Sequence, residues 1–159
     1  MKIQKAKLGD LVEIINLLKV VKTDLNKKGI MQWTEGFDEI EMLRDINLGR
    51  TFIARKDGCL IATFSLKTKQ LDPIQQTLRS PFLYLYKLAL QPSQQRKGYG
   101  KQLIDYAATL AKDNEFELYL DCWSGNEKLK SFYRSVGFTD LGDIPEDDYY
   151  ISVFKYLNR

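Results

Sequence analysis

The stretch FLYLYKLALQPSQQRKGYGK, residues 82–101, decides the fold predicted for this chain. Residues 83–90 are rich in Leu and Tyr and contain neither Gly nor Pro, which predicts a buried strand. Pro92 ends that strand, because proline cannot donate a hydrogen bond to the ladder. Gly98 and Gly100 then stand where an amphipathic helix begins, and the first N–H groups of a helix have no partner within it.

The junction between this strand and this helix has the chemistry of a phosphate site. The helix dipole adds partial positive charge to the outward N–H groups, and Arg96, Lys97 and Lys101 add formal charge. Two familiar phosphate motifs do not fit. The P-loop would need glycine where Gln95 stands, and the dinucleotide-binding pattern would need glycine at Leu103. The sequence therefore predicts a phosphate or pyrophosphate site of another kind.

Length and composition are those of an ordinary globular protein. The 159 residues suit one domain, 1–159, with 44% hydrophobic and 28% charged residues. No apolar run reaches about 18 residues and the N-terminus lacks the apolar core of a signal peptide, so we expect a cytoplasmic protein without a membrane partner. A net charge of +3 is too small to favour a nucleic acid as partner.

The chain has no histidine, which excludes this residue as metal ligand or general base. The two cysteines, Cys59 and Cys122, lie far apart and form no zinc pattern, so we expect no metal. Both stand among apolar strand residues, which predicts free, buried thiols rather than a disulfide.

Periodicity along the rest of the chain predicts the element order β-α-α-β-β-β-α-β-α-β-β, and hence a mixed sheet with helices on both faces. Asp57-Gly58 between two apolar runs predicts a tight hairpin. The helix after Gly100 has its apolar residues on one face. Residues 140–148 are predicted to be an acidic loop, followed by a last strand at 149–156.

The first two helices have recognisable starts. Asp10 is predicted to cap the first helix, with Glu13 completing a capping box. Asp38 is predicted to cap the second. The buried face of the second helix is predicted to consist of Ile40, Leu43 and Ile46.

A second block follows the phosphate junction. Residues 118–122 predict a strand, Asn126 opens a helix that carries Phe132-Tyr133, and Gly137-Phe138 follows it. The pattern Q/R-x-x-G-x-G/A at residues 95–100, followed at this spacing by the second block, resembles the GNAT superfamily of acyl-CoA-dependent N-acetyltransferases. The resemblance implies an α/β fold with a central, mostly antiparallel mixed sheet, in which one parallel strand pair splays apart.

The resemblance implies acetyl-CoA as cosubstrate and no metal. It places the pantetheine arm against the backbone of Leu90, and an amide N–H near the thioester carbonyl at Leu88, where it would stabilise an oxyanion. The side chains of Leu88 and Leu90 also suit the core, and both roles are compatible. Asn126 is a helix cap that the resemblance also places against CoA. The residues implied to hold the pyrophosphate are Gln95, Arg96, Lys97, Gly98, Tyr99, Gly100 and Lys101.

Tyr133 is the candidate for a catalytic side chain, as proton donor to the departing thiolate and as a contact of CoA. A phenol with an ordinary pKa of about 10 stays protonated at neutral pH. The alternative is that Tyr133 only packs beside Phe132. Tyr84 and Tyr86 stand where relatives carry a glutamate or a histidine base, and neither is a base at neutral pH. Glu35 is the nearest substitute, and deprotonation of the amine through water is the other option.

The acceptor side is predicted to be aromatic and acidic, lined by Trp33, Glu35, Phe37, Tyr84 and Tyr86. An acidic loop would favour a cationic amine, whether a small molecule or a peptide amine, although a solvated turn would look the same. The acidic residues are Asp143, Glu146, Asp147 and Asp148. The resemblance leaves both a monomer and a homodimer open.

Two functions remain after these arguments. The first is an N-acetyltransferase that moves an acetyl group from acetyl-CoA to an amine by direct attack in a ternary complex. The second is a CoA-binding or interaction module of the same fold with weak or no turnover, which the missing base keeps open. A nucleotide-phosphate enzyme is disfavoured by the failed motifs.

Overall fold

The computed structural model describes residues 1–30, 36–69 and 81–157. Within these ranges lie seven strands, four helices and two short 3-10 turns, in the predicted order. The strands are β1 (Lys2–Lys5), β2 (Thr51–Lys56), β3 (Cys59–Lys69), β4 (Phe82–Leu90), β5 (Leu118–Trp123), β6 (Phe138–Glu146) and β7 (Tyr149–Tyr156). The helices are α1 (Leu11–Lys27), α2 (Glu39–Asn47), α3 (Tyr99–Asp113) and α4 (Glu127–Ser135).

The strands form one mixed sheet in the order β1-β2-β3-β4-β5-β7-β6. Strands β4 and β5 pair in parallel, with Leu83 opposite Leu118 and Tyr84 opposite Tyr119. The pairs β1–β2, β2–β3, β5–β7 and β6–β7 are antiparallel. The parallel ladder has two residue pairs, whereas the ladder between β5 and β7 has five. The predicted mostly antiparallel sheet with a short parallel pair is confirmed.

The stretch before the last strand differs from its prediction. Residues 140–148 were expected to form a loop, but β6 continues through Glu146 and only Asp147 and Asp148 make the turn to β7. Gly, Pro and Asp are poor strand formers, which is why the sequence favours a loop here. Pro145 is tolerated because β6 is an edge strand of the sheet.

Contacts divide the chain into two units. Unit 1 comprises Met1–Ser65 and Lys87–Leu103, and unit 2 comprises Leu66–Tyr86 and Ile104–Arg159. Strands β3 and β4 and helix α3 each contribute residues to both units.

The core of unit 1 is built on α1. Its buried residues are Ile14, Ile15, Leu17, Leu18 and Val21, which follow the predicted helical spacing closely. They pack in one apolar cluster with residues of α2, β2 and β4, namely Met42, Ile46, Ile53 and Ala89. Burial of this apolar face stabilises α1 more than helix propensity does.

Helix α2 turns a different face inward than its sequence predicts. Ile40 and Leu43 were expected to be buried, but they are 72% and 38% exposed. The buried residues are Met42, Asp45 and Ile46. The prediction for Ile46 is confirmed and that for Ile40 and Leu43 is wrong, because α2 turns Met42 and Asp45 inward in their place.

The two helix caps have different outcomes. The Asp38 carboxylate accepts hydrogen bonds from the N–H groups of Ile40 and Glu41, as predicted. Asp10 makes no side-chain bond to α1, so the predicted capping box with Glu13 is wrong. Both carboxylates instead bind Arg55 of β2, with Nη2 3.0 Å from Asp10 Oδ1 and 2.9 Å from Glu13 Oε1.

This ion pair gives a pH-dependent prediction. The hydrogen bond from Arg55 holds the pKa of Glu13 below its usual value. The depressed pKa contributes stability above the ordinary glutamate pKa of about 4.3, and this contribution is lost as pH falls through the lowered value. Arg55→Gln should therefore lower Tm by a few degrees at neutral pH, and by less at about pH 3.

Thermal unfolding at both pH values measures the effect. Lys28→Gln is the control, because Lys28 pairs with the Asp24 carboxylate at the end of α1, at 2.8 Å, and the loss of such a pair within one helix should change Tm little at either pH. An Arg55→Gln deficit that is equally large in acid would contradict the assigned cause.

The core of unit 2 is partly aromatic. Phe154, Leu118, Leu120 and Phe138 are buried there. The predicted buried face of α3 is confirmed, with Leu103, Ile104, Ala107, Ala108 and Ala111 all buried. In α4 the buried residues are Tyr133 and Lys130, and the second of these was not predicted.

The cysteines are both free among the described residues, as predicted. Cys122 of β5 is buried, and burial raises the pKa of its thiol to about 12. Cys59, expected to be buried, is exposed because it directly follows the hairpin turn at Asp57-Gly58.

Candidate functional site

The candidate phosphate loop follows β4 in unit 1. A 3-10 turn at Pro92–Gln94 follows the strand, and α3 begins at Tyr99. The Gln95 side chain donates from Nε2 to the carbonyl oxygen of Leu90, 3.2 Å away, and ties the loop to the end of the strand. A hydrogen bond thus fixes the start of the loop to β4, and helix α3 begins at its end.

The backbone of this loop suits an anion. Arg96 and Gly98 have φ of +64° and +84°, on either side of Lys97. Left-handed residues alternating with ordinary ones turn successive N–H groups toward a common point, which is the geometry of an anion-binding nest. The first N–H groups of α3 extend this set, and the first turn of the helix contains no acidic residue.

The space in front of the loop is open. A Cβ built on Gly98 would have no neighbour within 4 Å, and Arg96 and Lys97 are exposed. A pyrophosphate therefore has room to approach the backbone and two cations to neutralise it. The donor set fits the phosphate part of a CoA molecule.

Lys56 contacts Tyr99 of the loop, although the sequence analysis did not single it out. Lys56, at the end of β2, places Nζ 5.1 Å from the centre of the Tyr99 ring, and its hydrogen bond with Tyr99 raises the pKa of the ammonium. No sequence pattern marks Lys56 as part of the phosphate site, because it precedes a hairpin turn and resembles any solvated turn residue. It adds a positive charge at Tyr99, in the same unit as Arg96, Lys97 and Lys101.

Strand β4 contains Leu88 and Leu90, the two residues whose backbone is predicted to contact acetyl-CoA. Leu88 and Leu90 are both half-buried. Lys87, directly before Leu88, has a φ of +52°, which interrupts the regular strand at this point. The peptide between Lys87 and Leu88 is therefore oriented by an unusual backbone conformation within β4.

Tyr133 lies in the aromatic core of unit 2. It is 4% exposed, and its ring centre is 5.6 to 5.7 Å from those of Phe132, Phe138 and Phe154. Burial is the main reason that its pKa is raised, and the neighbouring Cys122 and Asp121 raise it further. The phenol is consequently protonated over the whole neutral range and is a weaker acid than free tyrosine.

Asn126 is confirmed as the cap of α4. Its side-chain oxygen accepts a hydrogen bond from Leu129 N–H at 3.1 Å, and the residue is 4% exposed. The Trp123 indole lies against Gly125, where an added Cβ would be only 2.4 Å from the ring. The cap and the glycine together fix the start of α4, and with it the position of Tyr133 two turns on.

The two tyrosines of β4 stack in unit 2, and one of them has a partner that the sequence did not suggest. The rings of Tyr84 and Tyr86 are 5.8 Å apart and nearly parallel. The Tyr84 hydroxyl donates to Asp121 Oδ2 at 2.7 Å. Burial and Asp121 raise the pKa of Tyr84, so it stays neutral and is not a base. In the sequence, Asp121 stands within a predicted apolar strand and has no local partner. Only the pairing of β4 with β5 brings it to Tyr84.

Two lysines lie over the rings of this tyrosine pair, and the charge of Glu146 contributes to the raised pKa of Tyr84. Lys69 Nζ lies 3.9 Å from the centre of the Tyr84 ring, and Lys67 Nζ lies 4.6 Å from that of Tyr86. On the hairpin of β6 and β7, Glu146 is the main cause of a raised pKa at Tyr149. Among the other acidic residues, Asp143 accepts a hydrogen bond from Ser152, while Asp147 and Asp148 form the turn.

The predicted acceptor wall is described only in part. Trp33 and Glu35 lie outside the described residues. Phe37, expected to line the acceptor side, packs against the apolar cluster of unit 1.

Comparison with known proteins identifies the family of this chain. The model of the Acetyltransferase (GNAT) family matches residues 18–138, and the chain belongs to this family. A curated relative, the uncharacterized N-acetyltransferase YesJ of Bacillus subtilis, is 27% identical over 142 residues, which cover 84% of this chain and 78% of that protein.

Solved structures show the same fold. A GNAT-family acetyltransferase from Streptococcus agalactiae superposes with a TM-score of 0.82 at 16% identity, over 99% of this chain and 96% of that one. The PaiA N-acetyltransferase from Thermoplasma acidophilum, solved in complex with coenzyme A, has a TM-score of 0.76 at 22% identity, with 98% of each chain covered. The predicted GNAT fold is confirmed.

The described residues contain neither a candidate membrane-spanning helix nor a candidate metal site. No helix within residues 1–30, 36–69 and 81–157 is both long and apolar enough to cross a bilayer. The same ranges contain no group of three or more His, Cys, Asp or Glu side chains arranged to hold a metal ion.

Proposed function

We propose that this chain transfers the acetyl group of acetyl-CoA to an amine by direct attack in a ternary complex. The observation that carries the proposal is the loop at residues 95–101, with Arg96 and Gly98 left-handed and α3 directly behind it. This backbone suits a pyrophosphate, and membership of the GNAT family makes acyl-CoA the natural bearer of that group.

The chain's residues take the following roles in this proposal. The N–H groups of residues 96–101 bind the pyrophosphate, aided by Arg96, Lys97 and Lys56. The backbone of Leu90 binds the pantetheine arm, and the Leu88 N–H stabilises the oxyanion that develops on the thioester carbonyl. Tyr133 donates a hydrogen bond to the sulfur as it leaves.

The acceptor in this proposal is a cationic amine, on a small molecule or on a peptide. The Tyr84–Asp121 pair offers a carboxylate with a fixed orientation, because one of its oxygens already accepts the Tyr84 hydroxyl. Glu146 and its neighbours on the β6–β7 hairpin add negative potential, which attracts an ammonium group. Asp121→Asn in the amine-panel assay described next should raise KM for the amine more than it lowers kcat.

The experiment that tests the function is thiol release from acetyl-CoA across a panel of amines. Turnover with at least one amine, and none without an amine, is expected. Binding of acetyl-CoA without turnover would support the second function, a CoA-binding module. That reading rests on one observation: the tyrosines of β4 stand where relatives carry a base, and the pKa of Tyr84 is raised.

The pH dependence identifies how the amine loses its proton. An alkylammonium has a pKa of about 10, and it must lose a proton before the neutral amine can attack. Without histidine the chain has no side chain with an unperturbed pKa between about 5 and 8. We expect kcat/KM to rise with pH toward the pKa of the amine, and the rising limb to shift when a less basic amine is used.

Glu35→Gln is the matching variant, and its profile should equal that of the wild type. A limb that stays in place for every amine and disappears in Glu35→Gln would instead identify Glu35 as a base with a raised pKa.

A further inference from the structure

Lys87 has an unusual backbone within β4. Its φ of +52° lies in the left-handed region, which disfavours every residue with a Cβ and is rare inside a strand. Such a conformation persists only where surrounding contacts over-determine it. The contacts of the Lys87 side chain are candidates for this stabilising role.

The Lys87 side chain reaches α2 and forms two ion pairs there. Its Nζ lies 3.4 Å from Glu41 Oε1 and 3.8 Å from Asp45 Oδ2. The Lys87 side chain is 21% exposed, and that of Asp45 only 6%. One helix thus holds the ammonium group of one strand residue with two carboxylates.

Asp45 is the more buried of the two carboxylates that face Lys87. It borders a small cavity of about 10 Å³, together with the Thr51 and Ser65 hydroxyls and apolar side chains of α1. Arg50 Nη1 lies 3.4 Å from Asp45 Oδ1, whereas Asp45 Oδ2 accepts no hydrogen bond from any residue that the structure describes and faces the ammonium of Lys87 at 3.8 Å. An ion pair with so little water around it is screened weakly.

The next residue along β4 is Leu88, whose N–H direction depends on ψ of residue 87. We propose that the ion pairs of Lys87 with Asp45 and Glu41 hold residue 87 left-handed and thereby aim the Leu88 N–H at the thioester carbonyl. Lys87 is then a positioning residue that acts through its backbone, and Asp45 positions Lys87. This inference rests on the proposed acetyl transfer, in which the Leu88 N–H stabilises the oxyanion.

A matched pair of variants at position 87 tests the proposal. Both are made in the otherwise wild-type chain, because the Asp45 carboxylate keeps a charged partner without the lysine: Arg50 Nη1 lies 3.4 Å from Asp45 Oδ1. Lys87→Ala and Lys87→Gly remove the same ammonium, but only glycine adopts a φ of about +52° without steric cost. The readouts are kcat, the Kd of acetyl-CoA, and the ¹³Cα chemical shift of residue 87, which distinguishes left-handed from strand backbone.

The alanine variant should lose about tenfold or more in kcat relative to the wild type, through a misdirected oxyanion donor. The glycine variant should keep kcat within about threefold of the wild type, because its backbone tolerates the left-handed form. The Kd of acetyl-CoA should be unchanged in both, and the ¹³Cα shift of the alanine variant should move toward strand values.

Three results would overturn the proposal. Equal losses of kcat in the two variants would show that the ammonium, not the backbone, matters. Unchanged kcat in the alanine variant would show that the ion pairs position nothing. A left-handed ¹³Cα shift retained in the alanine variant would show that the ion pairs do not hold residue 87, and this last readout decides even if the wild type acetylates no amine.

Discussion

Gly98→Asp is expected to weaken acetyl-CoA binding by about 100-fold or more, equivalent to about 2.7 kcal/mol. The substitution acts in two ways. Gly98 has a φ of +84°, which an aspartate adopts only with strain, so the nest of N–H groups is distorted. The new carboxylate also stands in the open space where the pyrophosphate is proposed to lie, and like charges repel. Isothermal titration calorimetry with acetyl-CoA measures the loss.

Two companion variants separate strain from charge. Gly98→Ala introduces the strain without the charge and should lose clearly less affinity. Gly29→Asp is the matched control, because Gly29 also has a left-handed φ, +73°, and open space around its Cα, but it follows α1. It should lower Tm at least as much as Gly98→Asp and leave the Kd of acetyl-CoA unchanged. An unaltered Kd in Gly98→Asp would remove the phosphate role from this loop.

Local signals were sufficient for most of the fold. The hairpin at Asp57-Gly58 and the caps at Asp38 and Asn126 depend on residues next to one another in the chain, and the structure confirms all three. The turn into α3 was predictable in the same way, since Gly98 occupies a left-handed position that favours glycine. The order of elements follows from such signals.

What the sequence could not show depends on contacts between distant residues. Asp10 and Glu13 have the spacing of a capping box, but Arg55, 45 and 42 positions away, binds both carboxylates. Helix α2 buries Asp45 together with Met42 and Ile46, with the Asp45 carboxylate near Lys87 of β4, and Ile40 and Leu43 face outward. In both cases a contact with a distant strand is absent from the local sequence pattern.

The same limit applies to the candidate site. Glycine spacing predicted the loop, yet the left-handed Arg96 and the neighbouring Lys56 were not foreseen, because neither has a distinctive local pattern. The Tyr84–Asp121 hydrogen bond needs β4 and β5 side by side, which places residues 37 positions apart in contact. Partners of this kind follow only from the register of the sheet.

Tyr133→Phe is expected to lower kcat by about tenfold or more, because a donor aimed at charge that develops in the transition state is lost, with little change in the Kd of acetyl-CoA. Full transfer of a proton from a phenol of pKa about 10 to a thiolate whose acid has a pKa of about 8.5 is uphill, and burial raises the pKa of Tyr133 further. The proposed role is therefore a hydrogen bond that strengthens as negative charge builds up on the sulfur.

Kinetics and calorimetry together test this role. The substitution removes only a hydroxyl from a cluster of aromatic rings, so Tm should not fall. Tyr119→Phe is the control: the Tyr119 hydroxyl donates to Glu117 Oε2 at 3.0 Å on the surface, and its loss should leave kcat unchanged. Since the pKa of Tyr133 is raised, ionisation of this residue should cause no loss of kcat below about pH 10. Wild-type turnover in Tyr133→Phe would leave the residue with a packing role only, because the aromatic contacts survive the substitution.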